Sequence, residues 1–181
     1  PILQNADTSG IKIDGVVDGI CLQAEVADIS EKGLIFYAAS QLRPGELVRF
    51  WVFHLAFDAL VKNPNRSTRI FTPKKILILN PTSNAAGMLK DLVSIYREGM
   101  TRPLPFFPRS AWAYITAKHA PHVAAEREWN GSDYRLGERD NRYYGLAFRD
   151  NRTEVLGEEF QVTTKKILGP VYDHFVEEKL L

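Results

Sequence analysis

The stretch from Leu47 to Leu60 (Leu-Val-Arg-Phe-Trp-Val-Phe-His-Leu-Ala-Phe-Asp-Ala-Leu) constrains the fold more than any other part of the chain. Pro44 suits a first helical position and Glu46 sits favourably in a first turn, so a helix is predicted over residues 44–62. Leu47, Val48, Trp51, Val52, Leu55 and Ala59 make a broad apolar face, and Phe50, Phe53 and Phe57 widen it nearly all round. A helix with so little solvated side must be buried between a sheet and other helices. Arg49, His54 and Asp58 interrupt the run, which is too short and too charged to span a bilayer. Asn63-Pro-Asn65 is expected to end the helix.

The sheet must come from the flanking segments. Residues 11–39 read as a three-stranded meander: a strand with bends or bulges at Gly15 and Gly19, an alternating strand over 22–29, a turn at Ser30-Glu-Lys-Gly33, and a short apolar strand from Gly33. Residues 69–71 and 75–79 read as a further strand pair around Thr72-Pro73. A helix follows over about 84–98, capped by Ser83 or Asn84 and stopped at Gly99. Three prolines between Thr101 and Ser110 make an ordered apolar connector. Ser110 is expected to cap a helix over about 111–119, and a second short helix runs from Pro121 to about Trp129. Residues 130–144 read as a polar surface loop, 144–148 as ambiguous, and 160–179 as a closing helix interrupted at Gly169-Pro170. The fold class is therefore mixed α/β: a single domain over 1–181, helical from about residue 84, with no internal repeat.

At 181 residues the chain can bury about 70% of its unfolded surface without a disulfide or structural metal. A net charge of +1 gives no global case for nucleic-acid binding, so any such contact is a local patch. The lone Cys21 excludes an internal disulfide and fits a reducing compartment, in which the Asn-x-Ser/Thr triplets at Asn65, Asn130 and Asn151 are chance. Pro1-Ile-Leu-Gln, without an initiator methionine, reads as the start of a piece of a longer polypeptide.

Three groupings could carry chemistry. Asp14, Asp18, Glu25 and Asp28 lie on or beside adjacent strands; carboxylates paired at a strand end can hold Mg²⁺ for phosphodiester hydrolysis, but solvated strand edges look the same in sequence. His119-Ala-Pro-His122 with Glu126 could bind Zn²⁺, except that Pro121 spoils the one-face helical spacing; two surface histidines are the simpler reading. Arg66, Arg69, Lys74, Lys75, Arg102, Arg109 and Trp112 could neutralise phosphates and stack on bases, or form a solvated hairpin rim with a core tryptophan. Phosphate-cradling Gly-rich loops and a Gly-x-Ser-x-Gly elbow are absent, so no cofactor is expected.

Five stretches carry a family resemblance: Gly15-Val-Val-Asp-Gly-Ile, Gly33-Leu-Ile-Phe-Tyr-Ala-Ala-Ser, Val48-Arg-Phe-Trp-Val-Phe-His-Leu, the run from Leu92 to Pro108, and Ser110-Ala-Trp. The pattern Tyr-x-x-Gly-Met, then Pro-Leu and Pro, then Ala-Trp is the most specific. In these stretches the chain resembles the C-terminal domain of RecC, the gamma subunit of exodeoxyribonuclease V. The resemblance covers nearly the whole chain in order and is weakest over about 130–157. It implies a PD-(D/E)xK restriction-endonuclease-like core, a mixed sheet flanked by helices, with a degenerate active site. It implies RecB and RecD as partner subunits in a bacterial, cytoplasmic complex that handles double- and single-stranded DNA, with no membrane.

Active relatives of that fold carry a strand-borne Asp in Gly-x-x-Asp and then Asp-x-Lys on the next paired strand. Gly15-Val-Val-Asp18 keeps the first pattern, while Tyr37-Ala38-Ala39 stands where Asp-x-Lys belongs. On this reading the second carboxylate has become Tyr37 and the lysine Ala39, leaving one carboxylate and no ammonium to position a nucleophile. A scaffold and DNA-path domain without catalysis follows, with Lys74, Lys75, Arg102 and Arg109 as its DNA-binding candidates and no metal. Two alternatives stay open: a metal-dependent nuclease rearranged around Asp18 and Glu25, and a pure subunit-interaction module.

Overall fold

The computed structural model describes residues 10–61, 66–149 and 155–179. The expected helix stop at Asn63-Pro-Asn65, and Asn151, lie outside the described residues. The chain divides into two compact units, one holding residues up to Leu42, Glu46–Val93 and those from Asp173, the other Arg43–Gly45 and Ser94–Tyr172.

The first unit is α/β. β1 (Ile11–Val17) and β2 (Ile20–Val26) form a two-stranded antiparallel sheet. β3 (Ile29–Ser30), β4 (Gly33–Tyr37), β5 (Thr68–Phe71), β6 (Lys75–Leu79) and β9 (Phe175–Lys179) form a five-stranded sheet in the order β3-β4-β5-β6-β9. β4 and β5 run parallel and the other neighbours antiparallel, so the sheet is mixed. Parallel strands need a long crossover, which α1 (Pro44–Leu60) supplies between β4 and β5.

The expected meander is corrected here. Asp18 and Gly19 both take positive φ, 49° and 77°, and make a two-residue hairpin turn from Val17 back to Ile20. That turn closes β1 and β2 into a separate ribbon, and the chain starts a new sheet at β3. Gly15 is also not a bulge: a Cβ there would come within 2.8 Å of Leu60, so the glycine lets the ribbon lie close on α1.

Trp51, Leu55 and Phe57 of α1 are fully buried, and Phe36 of β4 packs its ring 4.8 Å and 5.5 Å from Phe50 and Phe53. Within this apolar helix sits a fully buried imidazole. His54 has Nδ1 2.9 Å from the Thr68 hydroxyl and Nε2 3.1 Å from the Asn80 carbonyl. A carbonyl only accepts, so Nε2 carries the hydrogen and Nδ1 accepts from Thr68. The Trp51 ring stacks on His54 at 5.2 Å, and the Asn80 N–H donates in turn to the His174 carbonyl at the end of α6 (Glu158–His174). Burial drives the His54 pKa down to about 4, although Asp58 one turn away opposes it.

The second unit is mostly helical: α3 (Pro108–Thr116), α4 (Pro121–Asn130), the hairpin β7 (Gly131–Ser132) and β8 (Arg135–Leu136), a 3₁₀ turn (Glu138–Asp140), α5 (Arg142–Ala147), and parts of α2 (Ala85–Gly99) and α6. Phe107, fully buried at the end of the proline connector, meets Trp129 at 4.3 Å, Tyr144 at 5.0 Å and Phe148 at 5.3 Å. Ser110 is not a cap. Pro108 fills the first helical position, so α3 begins earlier than expected and Phe107 is its N-cap, without a side-chain cap bond. The carboxylate of Glu138 does that work from a distance, accepting the Arg109 N–H at 3.0 Å, the Ser110 N–H at 2.8 Å and the Ser110 hydroxyl at 2.8 Å. The stretch 130–144 is thus no simple surface loop, since it carries a buried Glu138 that terminates α3. Burial, and then the Glu138 charge, raises the pKa of Tyr144.

The closing helix also differs from expectation. α6 runs unbroken through Pro170, with Leu168 and Val171 fully buried on either side of it. The chain then leaves the helix after His174 and pairs as β9 along β6. β6 is an apolar strand whose backbone needs partners on both edges, and this overrides the helical preference of Glu177, Glu178 and Lys179.

Two outcomes follow. The folded-state pKa of His54 lies below its unfolded value of 6.5, so the unfolded chain takes up the proton first. Stability from the neutral ring is fully present above about 6.5 and is lost as pH falls toward about 4, by about 3 kcal/mol in all. Denaturant titrations at pH 7, 5 and 4 read this loss, and His54→Gln, destabilised at pH 7, should show a shallower decline; an equal decline in both proteins assigns the acid sensitivity elsewhere. Glu138→Ala strands two helix N–H groups and should cost about 2–3 kcal/mol, against less than about 0.5 for Lys74→Ala on the surface, measured the same way.

Candidate functional site

The stretch Gly15–Ser40 folds into two different sheets. Asp18 is exposed at the ribbon turn rather than borne on a strand, because the Asp-Gly pair supplies the two positive φ angles a two-residue hairpin needs. Tyr37 ends β4, and its ring, 60% exposed, stacks on Phe71 of β5 at 5.6 Å. The Ala38 N–H donates to the Phe71 carbonyl at 2.8 Å, and Ala39 follows beyond the strand, exposed. The expected pairing of the Asp18 strand with the strand of Tyr37 is corrected: among the described residues β1 and β2 ladder with each other, and β4 ladders with β3 and β5.

Glu25 does not join Asp18. It stands opposite Lys12, near the far end of the ribbon from the turn. It lies five residue steps of extended strand from Ile20, about 17 Å at the usual strand rise. One cation cannot bridge two carboxylates over that span. Asp14 faces Gln23, on the same outer face as Glu25, and Asp28 lies between β2 and β3. Among the described residues no three His, Cys, Asp or Glu side chains are grouped as a metal would need.

The basic candidates meet different fates. In the first unit Lys74 is exposed in the β5–β6 turn, with no ion pair among the described residues, whereas Lys75 binds Glu177 of β9 at 2.5 Å. In the second unit Arg102 is exposed but held by Glu98 and, at 2.5 Å, by Glu159, and these two carboxylates raise its pKa. Arg109 is a structural clamp: Nε donates to the Glu128 carboxylate at 3.0 Å, and Nη2 donates to the carbonyls of Glu128 and Leu136 at 3.2 Å and 3.0 Å. Its donors are largely spent inside the protein, which weakens its reading as a phosphate contact. The ring of Trp112 meets Tyr172 edge-on at 6.3 Å, as a packed rather than a stacking residue would.

His119 and His122 are both exposed, and the His122 ring lies edge-on to Tyr114 at 5.4 Å. The polar residues that do most in the structure, His54 and Glu138, were not singled out from sequence. Only the presence of a polar side chain on an otherwise apolar helix marked His54; nothing in the sequence tied Glu138 to Ser110, 28 residues away.

Among the described residues no helix is long and apolar enough to cross a membrane. No curated protein matches the chain. A family model described as the RecC C-terminal domain matches residues 2–119, well over half of the chain. The matched region takes in the ribbon, β3 to β6, α1 and α2, and runs past α3. The chain belongs to the RecC C-terminal domain family, and so to a subunit of exodeoxyribonuclease V, the RecBCD complex of DNA repair and recombination.

Proposed function

We propose that this chain acts, as one domain over 1–181, as a non-catalytic scaffold and DNA-path element of the RecBCD complex, in the bacterial cytoplasm and against the RecB and RecD subunits. Its core is then a PD-(D/E)xK fold whose site has emptied. The observation that carries this reading is the end of β4. Where metal-dependent cleavage needs a carboxylate and a lysine, the chain offers the exposed phenol of Tyr37 and the methyl group of Ala39. Asp18 alone could not hold a divalent cation tightly, because such an ion takes several oxygen ligands. The separation of Asp18 from Glu25 along the ribbon speaks against the rearranged nuclease.

The DNA-facing part of the role rests on exposed cations. Of the four candidates, Lys74 is the best placed, since Lys75, Arg102 and Arg109 each hold a carboxylate. Lys74 and Arg102 remain exposed, so each could give part of its charge to a phosphate in passing.

Labelled duplex incubated with the chain and Mg²⁺ or Mn²⁺ should stay intact; cleavage that disappears in Asp18→Ala would overturn the proposal. RecBCD assembled without this domain should fail to assemble or to unwind, and normal unwinding would sink the scaffold role. Cross-linking to a forked duplex within the complex should label Lys74 well above Arg109; label confined to protein would favour a pure interaction module.

A further inference from the structure

The ribbon of β1 and β2 has a feature the DNA-path reading does not use. With a two-residue turn at Asp18-Gly19, Val17 and Ile20 form a hydrogen-bonded pair, and every second pair after it repeats this. Gln23 is in the alternate set, so its N–H and C=O point away from β1, as do those of Cys21 and Glu25. β2 ladders with no other strand among the described residues, so this edge is open.

Beside the edge, between the inner face of the ribbon and α1, lies an apolar groove of about 330 Å³. Ile13, Leu22 and Ala24 form one wall, Val52, Phe53 and Ala56 the other, and Gln23 stands at its mouth. Liquid water occupies about 30 Å³ per molecule, so the groove has room for side chains. One cation lines it. Arg49 is exposed, its guanidinium 5.8 Å from the Phe53 ring centroid, and no carboxylate pairs with it among the described residues.

We propose that the open edge of β2 and the groove beneath it receive an extended segment of a partner protein, added as a third strand with alternate apolar side chains in the groove and a carboxylate on Arg49. Backbone ladder bonds supply affinity in this mode, and pockets for alternate side chains supply specificity. Open edges are otherwise covered or blunted, and the β2 edge carries neither proline nor lysine. The exposed charges of the ribbon favour protein over nucleic acid: Asp14, Asp18 and Glu25 against a single Lys12 would repel phosphates. The inference stands independently of whether the domain cuts or guides DNA.

The test uses the full chain and a fluorescein-labelled, end-blocked peptide, Thr-Val-Thr-Leu-Thr-Glu-Thr, with a twin in which Lys replaces Glu. Fluorescence anisotropy should show saturable binding of the Glu peptide and at least tenfold weaker binding of its twin. Arg49→Glu should invert that preference. Gln23→Pro removes the outward N–H, a change an edge strand tolerates, and should weaken binding at least tenfold. Asp14→Pro makes the same change on the opposite edge and should leave it unchanged. No saturable binding, equal affinity for the two peptides, equal effects of the two prolines, or displacement by single-stranded oligothymidylate would each overturn the proposal. If circular dichroism finds Gln23→Pro unfolded, the charge inversion by Arg49→Glu decides alone.

Discussion

The first unit depends on one buried imidazole. His54 lies on the most apolar helix of the chain, yet it binds Thr68 of β5 and the Asn80 carbonyl just past β6. Through the Asn80 N–H the same chain of bonds reaches His174, where α6 hands over to β9. One neutral ring therefore fixes how the crossover helix meets three strands, two of which are far from it in sequence. A buried polar group with both nitrogens satisfied costs little and specifies one arrangement; with either partner lost it would carry a large desolvation penalty. Phenylalanine side chains around it supply burial but could slide, whereas two hydrogen bonds of fixed direction cannot.

Glu138 and Arg109 play the matching role in the second unit. The carboxylate ends α3 by accepting two of its orphan N–H groups, and the guanidinium ties α3 to α4 and to β8. This arrangement shows what residue types alone do not reveal about the region. The arginine that looked like a phosphate contact is engaged by a carboxylate and two carbonyls, and the acid that looked like loop decoration is buried.

The functional picture follows from the same economy. The end of β4 carries a tyrosine stacked on Phe71, followed by two alanines. The side chains with real polar demands serve architecture instead. Among the described residues, Lys74 is exposed in the β5–β6 turn and β2 has no strand on its outer edge beside Arg49, the two features on which the proposed guiding and docking roles rest. Under the proposed scaffold role, such a division would leave the chemistry to other parts of the complex to which this family belongs.

Much of this was legible from residues alone. The α1 helix, the β5–β6 pair, α2, and the short helix from Pro121 follow from apolar spacing, proline placement and turn residues, which act locally. That Tyr37 and Ala39 carry neither a carboxylate nor an ammonium is a matter of residue identity and needs no coordinates. Other features were decided by tertiary contacts. Glu177–Lys179 has helix-forming side chains but becomes part of a strand because β6 needs a partner on that edge; Asp18 leaves its strand because the hairpin turn requires positive φ; Arg109 and Glu138 find partners that sequence distance hides. Sequence determined which segments were apolar and where they could bend. Only the folded chain decided which polar groups were spent on one another, because a hydrogen bond depends on neighbours in space that no local pattern encodes.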